Sequence, residues 1–177
     1  MVLMQLPKLE SLLMKGAPAS AVASVLGLLP HLKVLDTDYL PSGSSRSYSR
    51  ALGGAVDDPR PSLTSLTIRT SSQDFQGPRG LWPWILENVS SSSPSLEVFK
   101  LHAFVRGMNY IEVPRTFILG LVRVHKSTLR HFEVRGAQLM LSDIECLCDL
   151  FPQLEILECS TYLEPGDVVS LLCRSLP

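Results

Sequence analysis

The sequence predicts an α/β solenoid: short parallel strands laid side by side, with helices returning the chain over one face. Three observations carry this. Leucine fills 31 of the 177 positions while aromatic residues make up only 7%, a composition that fits helices or a leucine-based repeat. A six-residue core recurs along the chain with apolar residues at its first, fourth and sixth places. A proline stands two residues before the first leucine in most copies. A fixed-period repeat of this kind is the signature of stacked supersecondary units.

The cores are read in chain order. They are Leu9-x-x-Leu12-x-Met14, Leu32-x-x-Leu35-x-Thr37, Leu63-x-x-Leu66-x-Ile68, Leu96-x-x-Phe99-x-Leu101, Leu129-x-x-Phe132-x-Val134 and Leu154-x-x-Leu157-x-Cys159. Their first positions are 23, 31, 33, 33 and 25 residues apart. Pro7, Pro30, Pro61, Pro94 and Pro152 precede five of them, and Ser127 takes that slot in the fifth. Proline pushes its neighbour toward extended backbone, which suits entry into a strand. The fourth and sixth positions alternate with period two, so both point to one face of a short strand. The first leucine anchors the turn leading in. One strand this short cannot hide its apolar face, but stacking copies in parallel can.

Helix-compatible stretches separate most cores: Pro18 to Leu29, Leu81 to Val89, Arg115 to Lys126, Ser142 to Phe151 and Pro165 to Leu176. Ser142-Asp-Ile-Glu reads as a capping box, with Ser142 as the cap and Glu145 three residues on. Pro165-Gly-Asp reads as an N-terminal helix entry. Within 142–151, Ile144, Leu147 and Cys148 share an inward face, so the thiols are expected to be buried as small hydrophobes, and Cys159 with them. Residues 39–61 break the rhythm with a Ser/Gly/Asp-rich run and read as an exposed loop insertion. Ser71 to Gly80 is a second polar loop. Trp82 and Trp84 open the helix after it and are expected to pack over the core.

These phrases carry a resemblance. Leu6-Pro-Lys-Leu-Glu-Ser-Leu, Leu29-Pro-His-Leu-Lys-Val-Leu-Asp, Pro94-Ser-Leu-Glu-Val-Phe-Lys-Leu and Phe151-Pro-Gln-Leu-Glu-Ile-Leu-Glu-Cys resemble leucine-rich repeats. More narrowly, they resemble the irregular repeats of F-box/leucine-rich-repeat proteins of the kind found in mushroom-forming fungi. The resemblance implies a single leucine-rich-repeat domain over 1–177, of about six irregular repeats, with strands on a concave face and helices on the convex one. Two departures accompany it. The ninth position, usually Asn or Cys, holds Ala17, Leu40, Ser71, Phe104, Ala137 and Tyr162, so no asparagine ladder can form. No F-box precedes the first repeat, and Ser175-Leu-Pro177 looks like the opening of a further unit, so the chain reads as a fragment or as truncated at both ends.

What the resemblance implies about function is a non-catalytic protein–protein interaction module. It would act as the substrate-recognition repeats of a ubiquitin ligase adaptor, with a Skp-type adaptor engaged through the missing F-box. In such a sheet the third and fifth positions, and the residue just beyond each core, face the concave surface. The candidate protein-binding residues there are Asp36, Asp38, Thr67, Arg69, Lys100, His102, His131, Glu133, Arg135 and Glu158; Arg135 and Ser160 are the residues just beyond the fifth and sixth cores. Charge is polarised: residues 106–135 hold six basic and two acidic side chains, and 136–177 hold one basic and seven acidic. That asymmetry could steer a charged protein partner or could be neutralised between neighbouring repeats.

Other classes find less support. A net charge of −1 argues against a nucleic-acid partner held by bulk charge. No apolar run is long enough for a membrane helix, and no signal peptide is read, so the expected compartment is cytoplasmic or nuclear. The four cysteines crowd into the last fifth of the chain, unlike a disulfide-stapled secreted domain, and the Asn88-Val-Ser sequon is read as chance. There is no phosphate-cradling loop, H-E-x-x-H or G-x-S-x-G. Cys146-x-Cys148 lacks the spacing of a zinc knuckle. No catalytic residue, cofactor or metal site is expected. A small α/β enzyme with an unrecognised site and a functionless repeat remnant are the alternatives.

Overall fold

The computed structural model of the chain describes residues 6, 8–41, 61–71, 80–89, 95–104, 111–164 and 167–174, the last stretch from 162 onward by its backbone. The architecture is α/β. Six parallel strands run in sequence order: β1 (Ser11–Met14), β2 (Val34–Asp38), β3 (Ser65–Thr70), β4 (Val98–Ala103), β5 (His131–Leu139) and β6 (Ile156–Glu164). Among the described residues, four helices accompany them: α1 (Ala19–Leu28), α2 (Leu81–Val89), α3 (Arg115–His125) and α4 (Leu141–Leu150). A seventh strand, β7 (Asp167–Arg174), pairs antiparallel with β6 and ends the sheet, which does not close.

The six cores sit in one register. Leu12, Leu35, Leu66, Phe99, Phe132 and Leu157 are Cα partners across successive strands. The entry to each strand is fixed by the same backbone pattern. Glu10 O accepts the N–H groups of Lys33 and Val34, and Lys33 O accepts those of Thr64 and Ser65. Thr64, Glu97 and Arg130 repeat the arrangement toward the next strand, all at 2.8–3.0 Å. Because the unit before presents its carbonyl at the same place, each new strand starts in step with the last.

Strand alternation divides the sheet into two faces. Leu35 and Thr37, Leu66 and Ile68, and Phe99 and Leu101 are buried, while Asp36, Thr67 and Lys100 between them are only half-buried. The buried face packs against the helices. Val22, Ile85, Phe117, Leu121, Ile144 and Leu147 join the strand residues in one core. Phe99 lies at its centre, with ring centroids 5.6 Å from Phe117 and 5.4 Å from Phe132, a spacing that favours tilted aromatic pairs. Both tryptophans pack as expected. Trp82 is buried 4.8 Å from Phe117, and Trp84 donates its Nε1–H to Ala19 O at 3.1 Å beside Tyr39. Asn88, the sequon residue, is buried in α2 and donates from Nδ2 to Trp84 O. No described helix is long and apolar enough to cross a membrane.

Several expectations need correction. Residues 165–176 were expected to form a helix. Instead 167–174 form β7, in a chain segment whose Val168, Val169, Leu171 and Leu172 suit a strand as well as a helix. Periodicity alone does not separate the two over so short an apolar run. The capping box is not used either. Helix α4 starts at Leu141 with Met140 at its cap, and Met140 O takes the N–H groups of Asp143 and Ile144, so Ser142 lies within the first turn. The inward face of α4 carries Ile144, Cys146 and Leu147, so Cys148, expected to be buried, is exposed, while Cys159 is buried as expected. Of the 39–61 insertion, Tyr39 is buried and tied by its N–H to Arg69 O, and residues 42–60 lie outside the described part. So do 72–79 of the second polar loop. The β5–β6 register shifts after Val134, so Ser160 pairs with Gln138 rather than with Arg135.

Candidate functional site

The side chains on the open face come from the odd places of each strand. Parallel strands about 4.8 Å apart place residue 5 of each core beside residue 5 of the next. Asp36, Thr67, Lys100, Glu133 and Glu158 therefore form one row across the sheet. Asp38, Arg69, His102 and Arg135 form a second row just beyond it.

The first pair on this face is bidentate. The two guanidinium nitrogens of Arg69 meet the two carboxylate oxygens of Asp36, Nη2 reaching Oδ2 at 2.6 Å. This hydrogen bonding raises the Arg69 pKa further above its usual value. Planar fork-to-fork geometry is the strong form of such a contact. Asp38 turns elsewhere and accepts the backbone N–H of Gly16 at 2.8 Å, tying the end of β2 to the turn after β1. Thr67 lies between Asp36 and Lys100 in the first row.

The remaining six candidates meet around one carboxylate. Glu133, a candidate for the concave surface, is only 2% exposed. Its Oε1 accepts from His102 Nε2 at 2.9 Å and forms an ion pair with Arg135, whose Nε lies 2.6 Å away. Its Oε2 accepts from Lys100 Nζ at 3.0 Å and has His131 Nε2 3.6 Å away. Arg135 also reaches Glu158 Oε2 through Nη2 at 3.1 Å. Glu133 and Glu158 are direct cross-strand partners, and like charges so placed repel. Arg135 bridges the two and removes that penalty.

The electrostatics follow from this geometry. Burial pushes the Glu133 pKa up, but hydrogen bonds from Lys100 and His102, with the charges of Lys100 and Arg135, outweigh it and hold the carboxyl below its ordinary value. His131 is pulled down by burial and by Lys100, with Glu133 and Glu158 opposing. It therefore faces Glu133 as a neutral imidazole at neutral pH rather than as an ion-pair partner. Its Nε2, shut off from solvent, has no hydrogen-bond partner among the described residues.

Two features of this site were beyond residue-by-residue reading. One is that a single carboxylate organises four strand positions. The signal was the alternation Lys100-x-His102 beside His131-x-Glu133-x-Arg135, which parallel pairing superposes. The other is that His131, Glu133 and Glu158 each bring a ligand-type atom within 4.8 Å of the others. Glu158 belongs to the next strand, so linear spacing did not reveal the trio.

The sequence matches no family model, no curated protein and no solved structure.

Proposed function

We propose that the chain is a non-catalytic protein–protein interaction module. In this reading it is a leucine-rich-repeat solenoid resembling the substrate-recognition repeats of an F-box-type ubiquitin ligase adaptor. The observation that carries the proposal is the single register of six cores in sequence order, each unit seated on the one before it. That arrangement puts the half-buried polar side chains Asp36, Thr67 and Lys100 on the face opposite the buried core among the described residues.

The mechanism is presentation. Asp36–Arg69 and the group around Glu133 hold long side chains in place before any partner arrives. The entropy cost of ordering them on binding is then small. Because these charges are already paired with one another, a partner gains most at the positions between and beside them. Thr67, and the exposed apolar side chains of Leu13 and Val34, stand there. In a ligase the repeats would position a substrate, with transfer chemistry elsewhere and a Skp-type adaptor engaged through an F-box.

Site-specific photo-crosslinking in the full-length protein tests this. A crosslinker at Thr67 on the open face is expected to trap one discrete partner. The same crosslinker at Leu119, exposed on α3, is expected not to trap it, and T67R is expected to abolish it. Equal trapping at both positions, or none at Thr67, would overturn the reading. Copurification with a Skp-type adaptor tests the ligase part separately.

A further inference from the structure

We propose that His131, Glu133 and Glu158 form a zinc site on the open face, in competition with Lys100. Zinc takes imidazole nitrogen and carboxylate oxygen at about 2.0–2.2 Å, so tetrahedral ligand atoms stand roughly 3.3–3.6 Å apart. His131 Nε2 and Glu133 Oε2 are 3.6 Å apart, and all three donor atoms lie within 4.8 Å of one another. Small side-chain rotations close the set.

Two further observations point to a cation there. The Nε2 of His131 is shut off from solvent, faces Glu133 and has no hydrogen-bond partner among the described residues. A cation already holds the position, since Lys100 Nζ sits 3.0 Å from the same Glu133 Oε2 that the metal would use. Lys100 is a third exposed and has a long flexible stem, so it can withdraw to water. The opposite oxygen, Oε1, keeps its hydrogen bond from His102 and its ion pair with Arg135. Those two are positioning residues that orient the carboxylate, as the outer partners of metal ligands commonly do. The imidazole donor favours zinc over magnesium or calcium, which prefer all-oxygen sets. Binding would exchange the Lys100 ammonium for a divalent ion held by two carboxylates that Arg135 also bridges.

The test is calorimetric titration of the full chain with zinc chloride, with Cys148 and Cys173 replaced by serine to remove competing thiols. One zinc per chain is expected. H131N and E158Q should lose the isotherm, and circular dichroism should show both folded. E158Q is the safer variant, because Glu158 is 31% exposed. H102A should weaken binding about tenfold through the released carboxylate. K100M should tighten it about tenfold or more by removing a like charge beside the metal. Cobalt in place of zinc should give the visible absorption of a low-coordinate nitrogen–oxygen site. Absence of binding, or binding unchanged in H131N and E158Q, would overturn the proposal. The site does not depend on the interaction reading, because these outcomes need no protein partner.

Discussion

A Cβ placed on Gly136 would stand 1.7 Å from the carbonyl oxygen of Ala103 on the neighbouring strand. The β5 backbone turns aside here, with Gly136 at φ 77°, and the register with β6 shifts between Val134 and Gln138. Arg135 stands directly before this glycine and pairs with both Glu133 and Glu158. Gly136→Ala meets two penalties. A positive φ costs a non-glycine residue about 1–2 kcal/mol, and the obstacle is backbone, which cannot rotate away. Urea unfolding should show a loss of more than about 2 kcal/mol. A loss under about 0.5 kcal/mol, the range of ordinary surface changes, would contradict the close approach.

Removing the charge of Glu133 should hurt more than removing any one of its partners. Glu133 is buried, and four side chains converge on it. The partners are a sixth to two-thirds exposed, so each can turn to water once its contact is lost. Glu133→Gln leaves an amide with N–H groups facing Lys100 and Arg135. Breaking a fully buried ion pair costs about 3–5 kcal/mol, and the partial exposure of the cations reduces this to about 2 kcal/mol. Lys100→Met should cost under about 1 kcal/mol, the scale of a part-exposed pair. Denaturant midpoints of the two variants check the order, and a reversed order would mean that Glu133 is not the hub of the face.

His125 gives the fold a dependence on pH. It is 1% exposed at the end of α3, and neither ring nitrogen has a hydrogen-bond partner among the described residues. Burial holds its pKa below the ordinary value, and the nearby Val89 backbone offsets only part of this. Below pH 6.5, the usual histidine value, the unfolded chain takes up a proton that the folded chain resists. Stability should therefore fall as pH drops through that value, by up to about 1.4 kcal/mol per unit from this group. His125→Phe should flatten the profile between pH 7 and 5 relative to wild type. Parallel profiles for the two proteins would show that another group sets the slope.

The sheet was legible in the sequence because its rule is local. Period-two alternation within each core and the recurrence of the core settle which side chains turn inward, and Leu35, Leu66, Phe99, Phe132 and Leu157 are all buried. The helices were legible where an amphipathic stretch had a following strand to pack under, as at 115–126. They were not where strand pairing decided the outcome. Residues 167–174 carry an apolar run compatible with either state, and the free edge of β6 selects the strand. The candidate face was legible as a list of positions but not as a site. The burial of Glu133 and the bridging by Arg135 depend on which residues stand opposite each other on neighbouring strands, and no single segment encodes that.

Gly120 shows the opposite case to Gly136, and the contrast is itself testable. A Cβ on Gly120 would stand 2.7 and 2.8 Å from the two methyl carbons of Leu86, where α3 passes α2. The obstacle here is the far end of a flexible, half-buried side chain. Replacing a mid-helix glycine by alanine gains about 0.5–1 kcal/mol of helix stability, while mild overpacking costs about 1–3 kcal/mol before relaxation. Rotation of Leu86 relieves most of the second term, so Gly120→Ala should lie within about 1 kcal/mol of wild type. Combining it with Leu86→Ala removes the obstacle. The helix gain should then appear undiminished, with a coupling of about 0.5 kcal/mol or more between the two substitutions. Strict additivity would mean that α2 and α3 do not approach at this point.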